Sequence, residues 1–142
     1  MDRERAQRKV QNYIDGWRDR DVDRALSTVT SDVVIVECDG STARGLEDVA
    51  RWLREWHEAP MDGRVTAWSI TRFLFDDAVQ TAAIEWDFAC TCHGAESTFL
   101  GSSIIAFENG KISRIHEYRM EKVACGGEDA GERPTGRIID DR

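Results

Sequence analysis

With 142 residues the chain has the size of one domain and enough length to bury a core without covalent or metal staples. Its formal net charge of −8, from 19 basic against 27 acidic residues, argues against nucleic acid or an anionic membrane as a partner, because both recruit a basic surface. The arginines are interleaved with acids rather than clustered, which reads as a solvated surface.

The chain opens on the charged run Met1-Asp2-Arg3-Glu4 rather than a signal peptide, and no apolar run reaches the length of a membrane span. A cytoplasmic protein is expected. Val10, Tyr13, Ile14 and Trp17 recur at i, i+3, i+4, i+7, so an amphipathic helix with an aromatic stripe is predicted from about Asp2 to Asp19. Asp21 is placed to cap a second, short helix that turns Ala25, Leu26 and Val29 inward and ends at Thr30-Ser31-Asp32. Val33 to Cys38 is a β-branched run of strand length, broken at Asp39-Gly40. From Leu46 the helical period returns at Val49, Ala50, Leu53 and Trp56, with Pro60 as its stop.

After Gly63 the pattern changes. Four successive strands are predicted over Arg64 to Phe75, Ala78 to Cys92, Glu96 to Glu108 and Lys111 to Glu121, with breaks at Asp76-Asp77, His93-Gly94 and Asn109-Gly110. Asn-Gly tolerates positive φ at both central residues, so it forms a two-residue primed turn and fixes the register of the last hairpin. Side-chain alternation then points Ile115, Glu117 and Arg119 one way and Ile112, Arg114, His116 and Tyr118 the other. The segment from residue 124 to 142, rich in Gly and acids, lacks the apolar pattern to pack by itself and is expected to be a mobile tail on a domain of residues 1–123.

Cys38, Cys90, Cys92 and Cys125 are expected as reduced thiols in that compartment. Cys90-Thr91-Cys92-His93 has no second ligand pair at finger spacing, so neither a metal nor a cofactor is predicted. No dinucleotide fingerprint, phosphate loop or nucleophile elbow is present. The histidines are read as surface or interface residues: His57 at a helix end, His93 in a turn and His116 across the strand from Glu117.

The order α-α-β-α-β-β-β-β describes an α+β fold with helices on one face of a curved antiparallel sheet. The stretch VVIVECDGSTARGLEDVARWL, followed by IIAFENGKISRIHEYR, resembles the nuclear transport factor 2-like superfamily in its SnoaL-like branch. The match runs over about residues 5 to 121 and rests on the order and spacing of these segments. It implies a cone-shaped sheet around a deep pocket lidded by the N-terminal helices, and a homodimer.

The resemblance also implies a site. In the limonene epoxide hydrolases of that superfamily, an Arg and an Asp two apart on one strand and a second Asp on the last strand form the acid-base set. The corresponding positions here are Glu85, Asp87 and Glu117. Glu85 replaces the bridging Arg, which puts epoxide hydrolysis by that set in doubt, and Arg119 is the candidate for the missing positive charge. The ketosteroid isomerases of the superfamily carry their carboxylate base near Glu37 or Asp39. Glu37, Asp87, Glu117 and Arg119 are therefore the candidate catalytic residues. Tyr13, Trp17, Trp52, Trp56 and Glu85 are the candidate substrate-binding residues; for the tryptophans the plainer reading is core packing.

Alternation on the strand Ala82 to Ala89 puts Ile84, Trp86 and Phe88 on one face and Glu85 and Asp87 on the other. Taken alone, this says apolar side in and acids out. The resemblance reverses it, placing the acids in the pocket and the apolar strip in a dimer interface. Two readings of function follow. One is a cofactor-independent enzyme using carboxylate acid-base chemistry to cyclise, isomerise or hydrate a small apolar molecule. The other is a non-catalytic ligand-binding or dimerisation module on the same fold.

Overall fold

The computed structural model describes residues 1–121, and the expected tail lies outside them. Helix α1 (Arg3–Arg18) starts where Asp2 accepts a hydrogen bond from the Arg5 N–H at 2.9 Å. It buries the predicted stripe of Val10, Tyr13, Ile14 and Trp17, together with Ala6 and Gly16. Helix α2 (Val22–Leu26) is capped by Asp21 as expected, through the Arg24 N–H at 3.0 Å. Helix α3 (Gly45–His57) turns Val49, Ala50, Leu53 and His57 inward.

The strands are β1 (Val29–Val36), β2 (Thr42–Arg44), β3 (Arg64–Asp76), β4 (Thr81–Cys92), β5 (Ala95–Glu108) and β6 (Lys111–Arg119). They form one curved, unclosed sheet in the order β2-β1-β6-β5-β4-β3. The β3-β4-β5-β6 meander is antiparallel throughout, while β1 returns beside β6 in parallel. The α+β class and the element order agree with the sequence reading, with the short β2 added. Asn109 (φ 52°) and Gly110 (φ 77°) make the left-handed turn that closes the β5-β6 hairpin.

β1 begins at Val29, so Thr30, Ser31 and Asp32 lie within a strand rather than ending α2. The β-branched pair Val29-Thr30 favours this, and the strand absorbs a register shift against β6 between Val29 and Val34.

Strand partners define the two faces. Across the meander Phe73, Ile84, Ser103 and Glu117 form one row, and Ile70, Trp86, Gly101 and Arg119 form the next. Phe73, Ile84, Ser103 and Trp86 are buried, so these rows belong to the inner face beneath the helices. Trp86 sits in the core with its indole N–H donated to Ser103 Oγ at 2.9 Å. The expected facing of β4 is therefore reversed: Ile84, Trp86 and Phe88 point inward, and Glu85 and Asp87 are exposed on the outer face. Burying three large apolar side chains far outweighs keeping two carboxylates dry.

On β6 the alternation also breaks once. Phe107 pairs with Ile112 and Ala106 with Arg114, leaving Ser113 as a bulge. Ile112 and Ile115 both reach the core instead of facing opposite ways.

Candidate acid-base site

The inner face carries two glutamates from neighbouring strands. β1 and β6 run in register, with Ile35 opposite Ile115 and Val36 opposite His116. Glu37 and Glu117 are the next residues beyond that register, and Glu37 is near enough for its charge to act on the Glu117 carboxyl. Both follow the parity of Ile35 and Ile115, which are buried in the core. Glu37 is held where β1 turns: its N–H donates to the Ser41 carbonyl, and its carbonyl accepts from the Gly40 N–H, each at 2.8 Å.

Enclosure changes what these groups do. Burial, and then the charge of Glu37, pushes the Glu117 carboxyl up to about 8 from 4.5. Burial, and then the charge of Asp39, pushes Glu37 up to about 7. Two neighbouring half-buried carboxyls, one raising the other, titrate together, so near neutral pH the pair holds a proton that it can give up. Asp39 itself is exposed, and hydrogen bonds from Ser41 hold its carboxyl below the usual range.

Helix α1 brings Tyr13 near enough to feel the charge of both glutamates. The phenol is buried, and burial followed by the charge of Glu117 raises it far above its ordinary value, so it stays neutral and able to donate a hydrogen bond. One turn on, Trp17 packs edge-on against Trp52 and Trp56, with ring centroids 4.9 and 5.3 Å away. His57 is buried beneath them, not at the surface. Its ring nitrogens lie 2.8 Å from the Leu53 carbonyl and 2.9 Å from the Trp17 carbonyl. A cleft of about 170 Å³ between β2 and α3 reaches Glu37 and Trp52 from outside, with Ser41, Thr42, Arg51 and Glu55 on its walls.

The other candidates fall elsewhere. Asp87 and Glu117 do not share a cavity: Asp87, with Glu85, lines an outer trough of about 450 Å³ together with Leu100, Tyr118 and Met120. Asp87 and Glu117 therefore stand on opposite faces of the sheet. Arg119 shares the face of Glu117, but its side chain leaves the site, lying 4.5 Å over the Phe99 ring and pairing with Glu121 at 2.6 Å. Ser103, opposite Glu117 and bound by Trp86, was missed by sequence reading because a serine in an apolar strand gives no signal of its partner. His116 stacks on Tyr118 on the outer face. Among the described residues no group of three or more His, Cys, Asp or Glu is close enough to share a metal ion, and no helix is long and apolar enough to cross a membrane.

This architecture, a curved sheet with N-terminal helices over its inner face, is of the cystatin-like, nuclear transport factor 2-like kind. The chain belongs to the SnoaL-like domain family, whose sequence profile matches residues 10–115. The fold is shared with an epoxide hydrolase of M. tuberculosis that resembles limonene epoxide hydrolase, at 19% identity, 82% coverage of this chain and 84% of the other, and a TM-score of 0.71. It is shared with a protein of unknown function with a cystatin-like fold from Methylobium petroleophilum PM1, at 20% identity, 98% and 97% coverage, and a TM-score of 0.71. A proposed polyketide cyclase of Xanthomonas campestris pv. campestris is similar at 19% identity, 82% and 90% coverage, and a TM-score of 0.67. No curated protein matches the chain in sequence.

Proposed function

We propose that this protein is a cofactor-independent enzyme that moves a proton on a small, largely apolar molecule, as in isomerisation or intramolecular cyclisation. The observation that carries the reading is the Glu37–Glu117 pair, adjacent on the inner face and titrating near 7 and 8 near a neutral phenol. A general base and a general acid work best with values near the operating pH, and this pair offers both states at once. Glu37, the lower of the two and the one that borders the cleft, is the base that takes a proton from carbon. Glu117 is the acid that returns one, and Tyr13 donates to the oxygen on which negative charge builds. Trp52 and Trp56 form apolar walls near the cleft and the site.

Epoxide hydrolysis is the weaker reading. It would need an Arg between two carboxylates to orient water, and Glu85 and Asp87 are turned to the outer face. A homodimer is part of the proposal. Leu74, Leu100, Ile104, Tyr118 and Met120 are exposed on or beside the outer face, where a second copy would cover them. Glu85, Asp87, Arg72 and Arg114 lie on the same sheet without an ion-pair partner among the described residues, so charges of both signs are available to cross such an interface.

The test is exchange of carbon-bound protons. Ketones, β-diketones and enones of steroid and polyketide type are incubated with the protein in D2O and followed by NMR. Catalysed α-deuteration that disappears in Glu37→Gln is the expected result. Absence of exchange across the panel, with both glutamates titrating near 4.5, would leave a ligand-binding module.

A further inference from the structure

The run Cys90-Thr91-Cys92-His93 takes no part in the acid-base site, yet β4 gives it a defined shape. This strand pairs with β5 without a register shift, from Thr81 opposite Ala106 to Cys92 opposite Ala95. Parity therefore holds to its end, and both thiols share the face of Ile84, Trp86 and Phe88. Cys90 also stands opposite Val65 of β3 and is buried, while Cys92 is half-buried at the last position before the turn. His93 (φ 54°) and Gly94 (φ 80°) make that turn in the left-handed region, and the His93 N–H donates to the Met61 carbonyl at 2.9 Å, which ties down the end of the hairpin. Neither cysteine is in a disulfide. Burial, then the charge of Cys92 and a hydrogen bond between the two thiols, pushes the Cys90 thiol up to about 11, so the two sulfurs meet in their protonated form.

We infer that Cys90 and Cys92 form a clamp for one soft monovalent cation, cuprous copper, held between their two sulfurs. Same-face residues two apart on a strand stand about 6.6 Å from each other, whereas a disulfide needs its Cβ atoms within about 4.5 Å. Pairing on both sides keeps β4 from pinching to that distance. Two metal–thiolate bonds of about 2.3 Å in line put the sulfurs about 4.6 Å apart, which side chains leaning together from that spacing can reach. The ligand count selects the ion. Zinc takes four ligands, and among the described residues no group of three or more His, Cys, Asp or Glu comes together; calcium and magnesium want oxygen, which two thiols do not offer. Thiolate is the soft donor that cuprous copper prefers, and a two-coordinate ion needs no second pair at finger spacing. Binding exchanges the two S–H protons for one cation and leaves a single negative charge on the site.

The probe is cuprous copper delivered to the full chain without oxygen, in competition with bicinchoninate. Cys38→Ser and Cys125→Ser together form the background, so that only this pair of thiols remains. The expected result is one ion per chain, with X-ray absorption showing two sulfur neighbours and no others. Cys90→Ser and Cys92→Ser should each weaken binding at least about a hundredfold, and Zn²⁺ should bind the background at least about a thousandfold more weakly than the cuprous ion. Cys92 is the less buried of the two, so its serine variant decides the matter if Cys90→Ser folds poorly. No binding, binding that neither serine weakens, a coordination number above two, or zinc held as tightly would each overturn the clamp. Glutathione disulfide gives a second reading by mass spectrometry. The pair should remain two free thiols, and rapid closure of a Cys90–Cys92 disulfide would show that the strand yields and would overturn the spacing on which the clamp depends. The Glu37–Glu117 reading stands or falls separately, since neither thiol belongs to that site.

Discussion

The two faces of the sheet carry the same functional groups in different surroundings. Glu37 and Glu117 lie on the inner face, and Glu85 and Asp87 lie on the outer face of β4, two strands from Glu117. The inner pair is half-buried and its titration is pushed up to about 7 and 8, whereas the outer pair is exposed. The proton affinity of a carboxylate is set by what covers it. Its presence in a strand is common to both pairs.

Exchanging carboxyl for amide on each face gives the largest expected contrast. Glu37→Gln and Glu117→Gln should each lower the exchange rate of a ketone substrate by at least about a thousandfold with binding retained, since the amide keeps the shape and loses the proton. Glu85→Gln and Asp87→Asn should stay within about twofold. Loss of turnover in Asp87→Asn would move the chemistry to the outer trough and end the comparison.

Stability should separate the faces next. Glu117 titrates near 8 folded and near 4.5 when exposed, so between those values the folded chain binds more protons than the unfolded one. Stability conferred by the neutral carboxyl is thus fully present below about 4.5, falls as pH rises through the window, and is gone above about 8. Glu37 acts in the same direction over a narrower window, up to about 7. Glu117→Gln should therefore flatten the fall in melting temperature between pH 5 and 8 and exceed the wild type at pH 9 by on the order of a few kcal/mol. A variant less stable than the wild type at pH 9 would show that the carboxylate form is held by partners after all. The measurement is thermal unfolding at fixed protein concentration, since association would itself raise the melting point.

The outer face should report through assembly. Leu100 and Ile104 are 49% and 43% exposed in the single chain. Their joint replacement by Asp should weaken a dimer at least about a hundredfold, read by sedimentation, with little change in the inner titrations. A wild type that sediments as a monomer at tens of micromolar removes the dimer from the proposal.

Much of this architecture was legible in the sequence because it is written locally. The Asn109-Gly110 turn, the Asp2 and Asp21 caps and the aromatic stripe of α1 each announce their structure within a few residues. Alternation on β4 was equally plain, and its ordinary reading, apolar side in, is the correct one. Position-by-position transfer from a distant relative displaced that reading. Parity says which residues share a face, while the choice of face is made by the total apolar area to be buried. The Glu37–Glu117 neighbourhood could not be read locally, because it depends on parallel pairing of β1 with a strand some eighty residues later. The Ser113 bulge hid similarly: a single extra residue switches parity midway along β6 and leaves no mark in the hydrophobic pattern.

The smallest expected effect lies at the inner row itself. Ser103 is buried opposite Glu117 and accepts the Trp86 indole proton at 2.9 Å. Ser103→Ala removes the acceptor without opening much space, so the cost is that of leaving one buried N–H unpaired, about 1–2 kcal/mol. Gly101, on the same strand, keeps Trp86 from moving to compensate: a Cβ built there would stand 2.4 Å from the indole ring, so the ring already lies against the β5 backbone. The loss should therefore appear as a melting-point shift of a few degrees, with both outer-face carboxylates unaffected. The hydroxyl also faces the row of Glu117, and its own proton is free for a carboxylate. If that contact forms in solution, the alanine variant should raise the Glu117 titration further, because the charged form loses a donor. A ¹³C titration of the glutamate carboxyls in wild type and variant distinguishes the two: an unchanged curve confines Ser103 to holding Trp86, and an upward shift makes it a positioning residue for the acid.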